Sequence, residues 1–253
     1  MTIEIAKLTK RYKKSPKSQI LAVGDLTLNI QHGEVFGFLG PNGAGKSTVI
    51  KILMNFIQAT IGSASIKGHP VNEPRARRAV GYLPENPFFY DHLTAEEILT
   101  FGGSAAGMHK KDIAERIDQL LERLKLSHVK RQRLRTYSKG MVQRTGLALA
   151  LIHNPEICIL DEPMSGLDPL GRRLVAEMIM DLRRNGQTVF FSSHILSDIE
   201  RLCDRVGIMN RGRLLYCGGL KELMPEHGGL EQAFVQMVEQ DEREKHGADL
   251  AIG

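Results

Sequence analysis

One uninterrupted stretch, Gly40-Pro41-Asn42-Gly43-Ala44-Gly45-Lys46-Ser47-Thr48, limits what this chain can fold into more than any other. The apolar run Val35 to Leu39 before it reads as a buried strand, and Val49 to Phe56 after it reads as a helix. Strand, glycine-rich loop and helix in that order make a phosphate-binding loop. Gly40, Gly43 and Gly45 let the backbone curl with its N–H groups pointing inward, which bulkier residues resist. The loop opens onto a helix N-terminus, where unpaired N–H groups and the helix dipole attract phosphate. Lys46 is placed to bridge the β- and γ-phosphates of a nucleoside triphosphate. The hydroxyl of Ser47 suits Mg²⁺, a hard ion that prefers oxygen.

A second run, Ile157-Cys158-Ile159-Leu160-Asp161-Glu162-Pro163, is apolar until it ends in two carboxylates. Strands of a parallel sheet covered on both faces read as continuous apolar runs, and ligands collect at their carboxyl ends. That logic puts Asp161 near Mg²⁺ and leaves Glu162 to take a proton from an attacking water. Two flanking motifs add weight. Upstream, Tyr137-Ser138-Lys139-Gly140-Met141-Val142-Gln143-Arg144 precedes an apolar helix from Thr145 to His153. Downstream come Ser165-Gly166-Leu167-Asp168 and, after a further apolar strand at Thr188 to Phe191, Ser192-Ser193-His194.

This ordered set resembles the ATP-binding subunit of ABC transporters, over nearly all of Met1 to Gly218. The resemblance implies ATP and Mg²⁺ as ligands. It makes Gly40–Thr48 the Walker A loop and Ile157–Glu162 the Walker B strand. Glu162 becomes the general base, His194 the switch histidine, Ser138 and Gly140 the signature groups that reach a γ-phosphate, and Asp168 the end of the D-loop. Tyr12 falls where an aromatic residue stacks on adenine. Two positions depart from the common pattern. The signature, usually L-S-G-G-Q, carries Tyr137, Lys139 and Met141 at its first, third and fifth residues. In Tyr82-Leu83-Pro84-Glu85, Glu85 stands where the family usually has glutamine; a carboxylate can ligate Mg²⁺ but cannot donate a hydrogen bond when ionised. The ATPases of exporters for drugs, lipids and polysaccharides look similar in both departures.

The expected fold is α/β: a P-loop NTPase core with a mostly parallel sheet, an N-terminal antiparallel β layer and an inserted helical subdomain. The ATPase domain is expected over 1–218, with its core at 1–83 and 154–218 and the helical subdomain at 84–153. Residues 219–253 form a short helical extension with a polar tail. The antiparallel layer follows from alternation in Ile3–Leu8 and Leu21–Ile30, and Ile61–Ile66 and Ala79–Tyr82 read as further short strands. Thr94-Ala95-Glu96-Glu97 carries a capping box that opens a helix with Ile98, Leu99 and Phe101 on its apolar side. Ile113, Ile117, Leu120, Leu121 and Leu124 mark a second amphipathic helix. Pro169 to Arg184 is the crossover helix between the strands at Ile157 and Thr188, and Val206–Met209 reads as another strand. Arg211-Gly212-Arg213 is a hairpin turn, and Leu220–Met224 and Leu230–Val238 are short helical patterns.

Composition narrows the class. At 253 residues, with 42% hydrophobic and 25% charged, the chain has an ordinary globular balance. No apolar run approaches the ~20 residues that span a bilayer. The opening residues lack a signal-peptide layout. Three cysteines make neither a disulfide framework nor a metal cluster, and Cys158 reads as a small buried residue. These features place the chain in the cytoplasm and leave membrane passage to a partner. The net charge of +5 is carried partly by basic runs at Lys7–Lys17 and Lys125–Arg135. Such runs are solvated faces first, with attraction to an anionic membrane as the alternative. No reading helix or aromatic platform accompanies them, so no nucleic acid is expected.

One phosphate loop and one signature per chain imply, by the resemblance, a head-to-tail dimer of ATP-binding subunits, identical or different. Each covers the nucleotide of the other, and a transmembrane permease subunit docks near Glu85 to Tyr90. Two rivals stand beside the transporter ATPase. A soluble ABC protein acting on ribosomes or DNA usually carries two ATPase cores or a coiled-coil insert, and this chain has neither. A regulatory module that binds ATP without hydrolysing it would have no use for Glu162.

Overall fold

The computed structural model describes the backbone of residues 1–15 and 18–250. Lys17, at the end of the first basic run, and the last three residues of the polar tail lie outside the described residues. The chain divides into two compact units, 1–77 with 192–253 and 78–191.

In the first unit, β1 (Ile3–Ser15) and β2 (Ser18–Ile30) pair antiparallel, with Ile3 opposite Ile30 and Tyr12 opposite Ile20. Ile3, Ile5 and Leu8 on one strand and Leu26, Leu28 and Ile30 on the other are buried, the alternation expected of a half-covered sheet. The chain then enters β3 (Val35–Leu39), buried along its whole length, and passes through the glycine-rich loop into α1 (Lys46–Leu53). That helix starts three residues earlier than apolar periodicity alone suggests and stops before Phe56. Asn55 adopts left-handed backbone (φ 56°) and ends it, leaving Phe56 exposed. β4 (Ile61–Ile66) adds to the free edge of β1, and the short β5 (His69–Pro70) adds to β4.

The second unit opens on β6 (Val80–Leu83) and continues with α2 (Ala95–Ala105), α3 (Lys110–Arg123) and α4 (Lys139–Leu151). It closes with β7 (Ile157–Leu160), α5 (Pro169–Arg184) and β8 (Thr188–Ser193), the last crossing the boundary between units. β6, β7 and β8 run parallel, with Val80 opposite Ile157 and Ile157 opposite Thr188. α2 has its capping box: Thr94 Oγ1 accepts from the Glu97 N–H at 3.2 Å, and Glu97 Oε2 accepts from the Thr94 N–H at 2.8 Å. The bond from the Thr94 N–H, with the Thr94 hydroxyl beside it, holds the Glu97 carboxyl below the usual carboxylate range.

Phe101 is a correction. The buried positions of α2 are Ala95, Ile98, Leu99 and Gly103, and Phe101 lies on the opposite face with 75% of its surface exposed. In α3, Ile113, Ile117, Leu120 and Leu121 are buried as their spacing requires, and Leu124 at its C-cap is buried too. Much of the second basic run is paired within this unit. Lys130 Nζ lies 2.7 Å from Asp118 Oδ1, and Arg131 Nε lies 3.0 Å from Glu96 Oε2. Burial pushes the Cys158 thiol up to about 12, so it is a core residue and an inert thiol.

The chain returns to the first unit with α6 (Leu196–Leu202), β9 (Arg205–Asn210), β10 (Arg213–Gly219), α7 (Leu220–His227) and α8 (Leu230–Leu250). β9 runs parallel to β3, with Leu39 opposite Ile208, and turns back antiparallel into β10. The two turn residues, Arg211 (φ 45°) and Gly212 (φ 81°), both take positive φ, which matches the twist of the strands they join. α8 runs well past the Leu230–Val238 pattern. Past Val238, hydrophobic periodicity gives way to polar contacts, including Glu239 with Arg243 and Gln240 with Glu244. Among the described residues, no helix is long and apolar enough to cross a membrane.

Candidate functional site

The glycine-rich loop is held from beneath. A Cβ added to Gly40 would stand 2.5 Å from the Met209 carbonyl oxygen, so this glycine is required by close backbone approach. Gly45 combines both constraints: its φ is 105°, and a Cβ there would stand 2.4 Å from the Ala22 carbonyl oxygen. Gly43, at φ 81°, faces open space, with nothing within 4 Å of an added Cβ. Lys46 opens α1 with only 6% of its surface exposed, and its Nζ donates to the carbonyls of Gly40 at 2.6 Å and Pro41 at 3.2 Å. Gly45, the N-cap, offers no side chain to the first N–H groups of α1, and the first turn has no acidic residue. A buried ammonium, a helix start with a glycine at its N-cap and open space at Gly43 fit a triphosphate. Ser47 follows in the first turn of α1 with Thr48.

Tyr12 lies on β1 opposite Ile20, two residues along β2 from Ala22, the residue that crowds Gly45. Its ring is partly exposed, and the Lys10 ammonium sits 5.2 Å from its centroid. His194 is exposed where the chain leaves β8. The hydroxyl of the preceding Ser193 accepts from the Ile195 N–H at 2.9 Å, which tightens that turn.

The second unit carries the acids. β7 is buried at every position and delivers Asp161 and Glu162 at its carboxyl end, both buried. The Asp161 N–H donates to the Leu83 carbonyl at 2.8 Å, so β6 and β7 end side by side, and Glu85 leaves the same edge as the acidic pair. Glu85 is exposed. Burial and the negative charge of Asp161 push the Tyr82 phenol up to about 12, so it stays neutral. Glu162 takes left-handed backbone, with φ 48°, a conformation that costs a non-glycine residue about 1–3 kcal/mol and clusters at functional sites.

Gln143, a residue that periodicity does not single out, fastens that strained turn. It is buried, and its Nε2 donates to the carbonyls of Glu162 at 3.5 Å and Pro163 at 3.4 Å. A buried amide in an otherwise apolar helical face was the signal for it. Ser138 is the N-cap of α4 and accepts from the Met141 N–H at 3.3 Å. Gly140 packs close enough to Leu167 that an added Cβ would stand 3.3 Å from it. The unusual Tyr137 is accounted for: its ring is buried and its hydroxyl donates to the Val129 carbonyl at 2.8 Å. Lys139 lies along the D-loop, its Cε 2.9 Å from where a Gly166 side chain would begin. Asp168 caps α5, accepting from the Gly171 N–H at 2.8 Å.

A family model described as ABC transporter matches residues 23–165, a span that holds the phosphate loop, Glu85, the signature and the acidic pair. The chain is 45% identical to an uncharacterised ABC transporter ATP-binding protein of Synechocystis, over 90% of this chain and 66% of that protein. It is 43% identical to the bacitracin transport ATP-binding protein BcrA of Bacillus licheniformis, over 84% of this chain and 68% of the relative. The chain thus spans about two thirds of the length of these curated relatives. Its fold is similar to a solved ATP-binding subunit of an ABC transporter, with a TM-score of 0.85 at 30% identity, covering 94% of this chain and 99% of that one.

Proposed function

The chain belongs to the ABC transporter ATP-binding proteins, and from that premise we propose that it hydrolyses ATP to drive a membrane exporter. The observation that carries this reading is Glu162, buried and held in strained backbone directly after a fully buried strand. A site that only bound nucleotide would have no reason to hold a base there. In this reading Gly40 to Thr48 wrap the phosphates, Lys46 exchanges its loop carbonyls for the β- and γ-phosphate oxygens, and Tyr12 stacks on adenine. Ser47, Asp161 and Glu85 are the residues that would hold Mg²⁺, and the ion would supply positive charge against the charge developing on the phosphate oxygens. Those three residues supply only oxygen donors, the chemistry Mg²⁺ prefers.

Glu162 orients the attacking water and takes its proton, and His194 faces the γ-phosphate. Ser138 and Gly140 close over the nucleotide of a second ATP-binding subunit, with the α4 N-terminus and Lys139 adding positive potential. Because ATP contacts both subunits only in the closed dimer, it favours closure, and loss of the γ-phosphate reopens it. The work passes to a permease subunit docked near Glu85 to Tyr90, which keeps this chain at the cytoplasmic face of the membrane. Phe88 and Tyr90 support that site, being 88% and 67% exposed where large apolar side chains ordinarily find cover. A transport role is supported by similarity to the bacitracin transport relative, and export by the departures at the signature and at Glu85, which resemble those of exporter ATPases. The test is phosphate release by the purified chain, together with recovery of an integral membrane protein bound to it from detergent extracts. Absence of ATP turnover, alone and with that partner, would overturn the reading.

Glu85 gives a finer prediction. Glu85→Gln keeps size and an oxygen ligand, so basal hydrolysis should stay within about threefold. Glu85→Ala removes the ligand and the link together, and should lower partner-stimulated hydrolysis more than basal hydrolysis. Rates with and without the reconstituted permease separate the cases. Equal losses would make Glu85 a metal ligand with no coupling role.

A further inference from the structure

The C-terminal helix α8 reaches back to the turn on which the phosphate loop rests. Asp241 is 96% buried by its 4% exposure, and each of its carboxylate oxygens has a partner. Oδ2 accepts from Asn210 Nδ2 at 3.0 Å, and Oδ1 accepts from Arg213 NH1 at 2.8 Å. Asn210 and Arg213 face each other across the β9–β10 turn, so one buried carboxylate ties both of its shoulders. Glu242 adds an exposed pair with Arg211, inside the same turn, at 2.9 Å.

Between those shoulders, Gly212 uses both of its backbone groups. Its N–H donates to the Ala44 carbonyl in the phosphate loop at 2.8 Å, and its carbonyl accepts from the Gly24 N–H at 2.8 Å. A planar trans peptide points its C=O and N–H in opposite directions. Holding the Ala44 carbonyl on Gly212 therefore fixes the direction of the Gly45 N–H. The Met209 carbonyl, one residue before Asn210, is the atom that crowds Gly40 at the start of the loop. The turn thus contacts the loop at Gly40 and at Ala44, and Asp241 clamps the turn.

We infer that Asp241 is a positioning residue for the phosphate loop, through which the C-terminal helix sets the loop's order and its affinity for ATP. This rests on the nucleotide-binding reading of Gly40 to Thr48, and the test separates the two. Asp241→Ala and Asp241→Asn are compared with wild type and with Glu239→Gln, which alters only an exposed pair on the same helix. The first readout, amide hydrogen exchange of peptides over residues 40–48 in nucleotide-free protein, does not depend on ATP binding. The second is the Kd for Mg-ATP by calorimetry.

Asp241→Ala should speed exchange in the loop and raise the Kd about 5- to 30-fold, the range of a modest coupling between sites. Asp241→Asn, which keeps the shape and so guards against misfolding, should move both the same way by a smaller factor. Glu239→Gln should move neither. Asp241 variants that melt earlier yet keep wild-type loop exchange and Kd would reduce Asp241 to an anchor for the tail and overturn the inference. A wild-type chain that binds no Mg-ATP would instead sink the nucleotide reading, while the exchange comparison still decides the coupling.

Discussion

Lys46→Ala should lower ATP hydrolysis by at least about 10²-fold, the cost typical of losing a group that stabilises transition-state charge. The ammonium it removes is buried and already held on the loop by the Gly40 and Pro41 carbonyls. In the reading proposed above it is the fixed cation nearest the transferring phosphoryl group. The truncation leaves those two carbonyls without this donor, at a cost of about 1–3 kcal/mol if buried and unsatisfied. α1 keeps its apolar contacts through Val49, Ile50, Ile52 and Leu53, so the far-ultraviolet circular dichroism should stay that of wild type. Phosphate release at saturating ATP, with nucleotide affinity from calorimetry, checks the prediction. Turnover near the wild-type rate in a folded Lys46→Ala protein would remove Gly40–Thr48 from the active site.

What the sequence makes legible is local. The phosphate loop is contiguous, so its glycines, Lys46 and Ser47 can be read in one pass. The same holds for β7 and its acidic pair, the capping box at Thr94, and the crossover helix from Pro169 to Arg184. Legibility ends where a contact joins distant segments. Asp241 and Asn210 are separated by 31 residues, and neither sits in a pattern that predicts the other. Apolar periodicity does not carry α8 past Val238, because the helix is tied there at Asp241 to the β9–β10 turn, a contact across 28 to 31 residues. Phe101 misleads for the converse reason: its hydrophobicity suggests burial, while its place on α2 turns it outward. Tyr137 and Gln143 are intermediate cases. Each is visible as a polar atom in a buried face, but its partners, the Val129 carbonyl and the turn at Glu162, emerge only in three dimensions.

Glu162→Gln should slow hydrolysis by a factor of about 10²–10⁴, as expected when a general base is removed. The substitution is well matched to the backbone. Glutamine and glutamate branch alike, so the left-handed φ of 48° costs the variant what it costs the wild type. The carbonyls of residues 162 and 163 that Gln143 holds are main-chain atoms and stay in place. ATP should therefore still bind, and with no hydrolysis to release it the closed arrangement should accumulate. In the isolated chain this should appear as an ATP-dependent doubling of mass by light scattering, reversed when nucleotide is removed. The doubling depends on Ser138 and Gly140 reaching a second chain's nucleotide, so Ser138→Arg in the same background should abolish it while leaving ATP binding to the phosphate loop intact. A slow variant that stays monomeric at saturating ATP would keep Glu162 as the base and shift the closed dimer to a pair of different subunits. A variant that turns over ATP at the wild-type rate would show that the proton goes elsewhere.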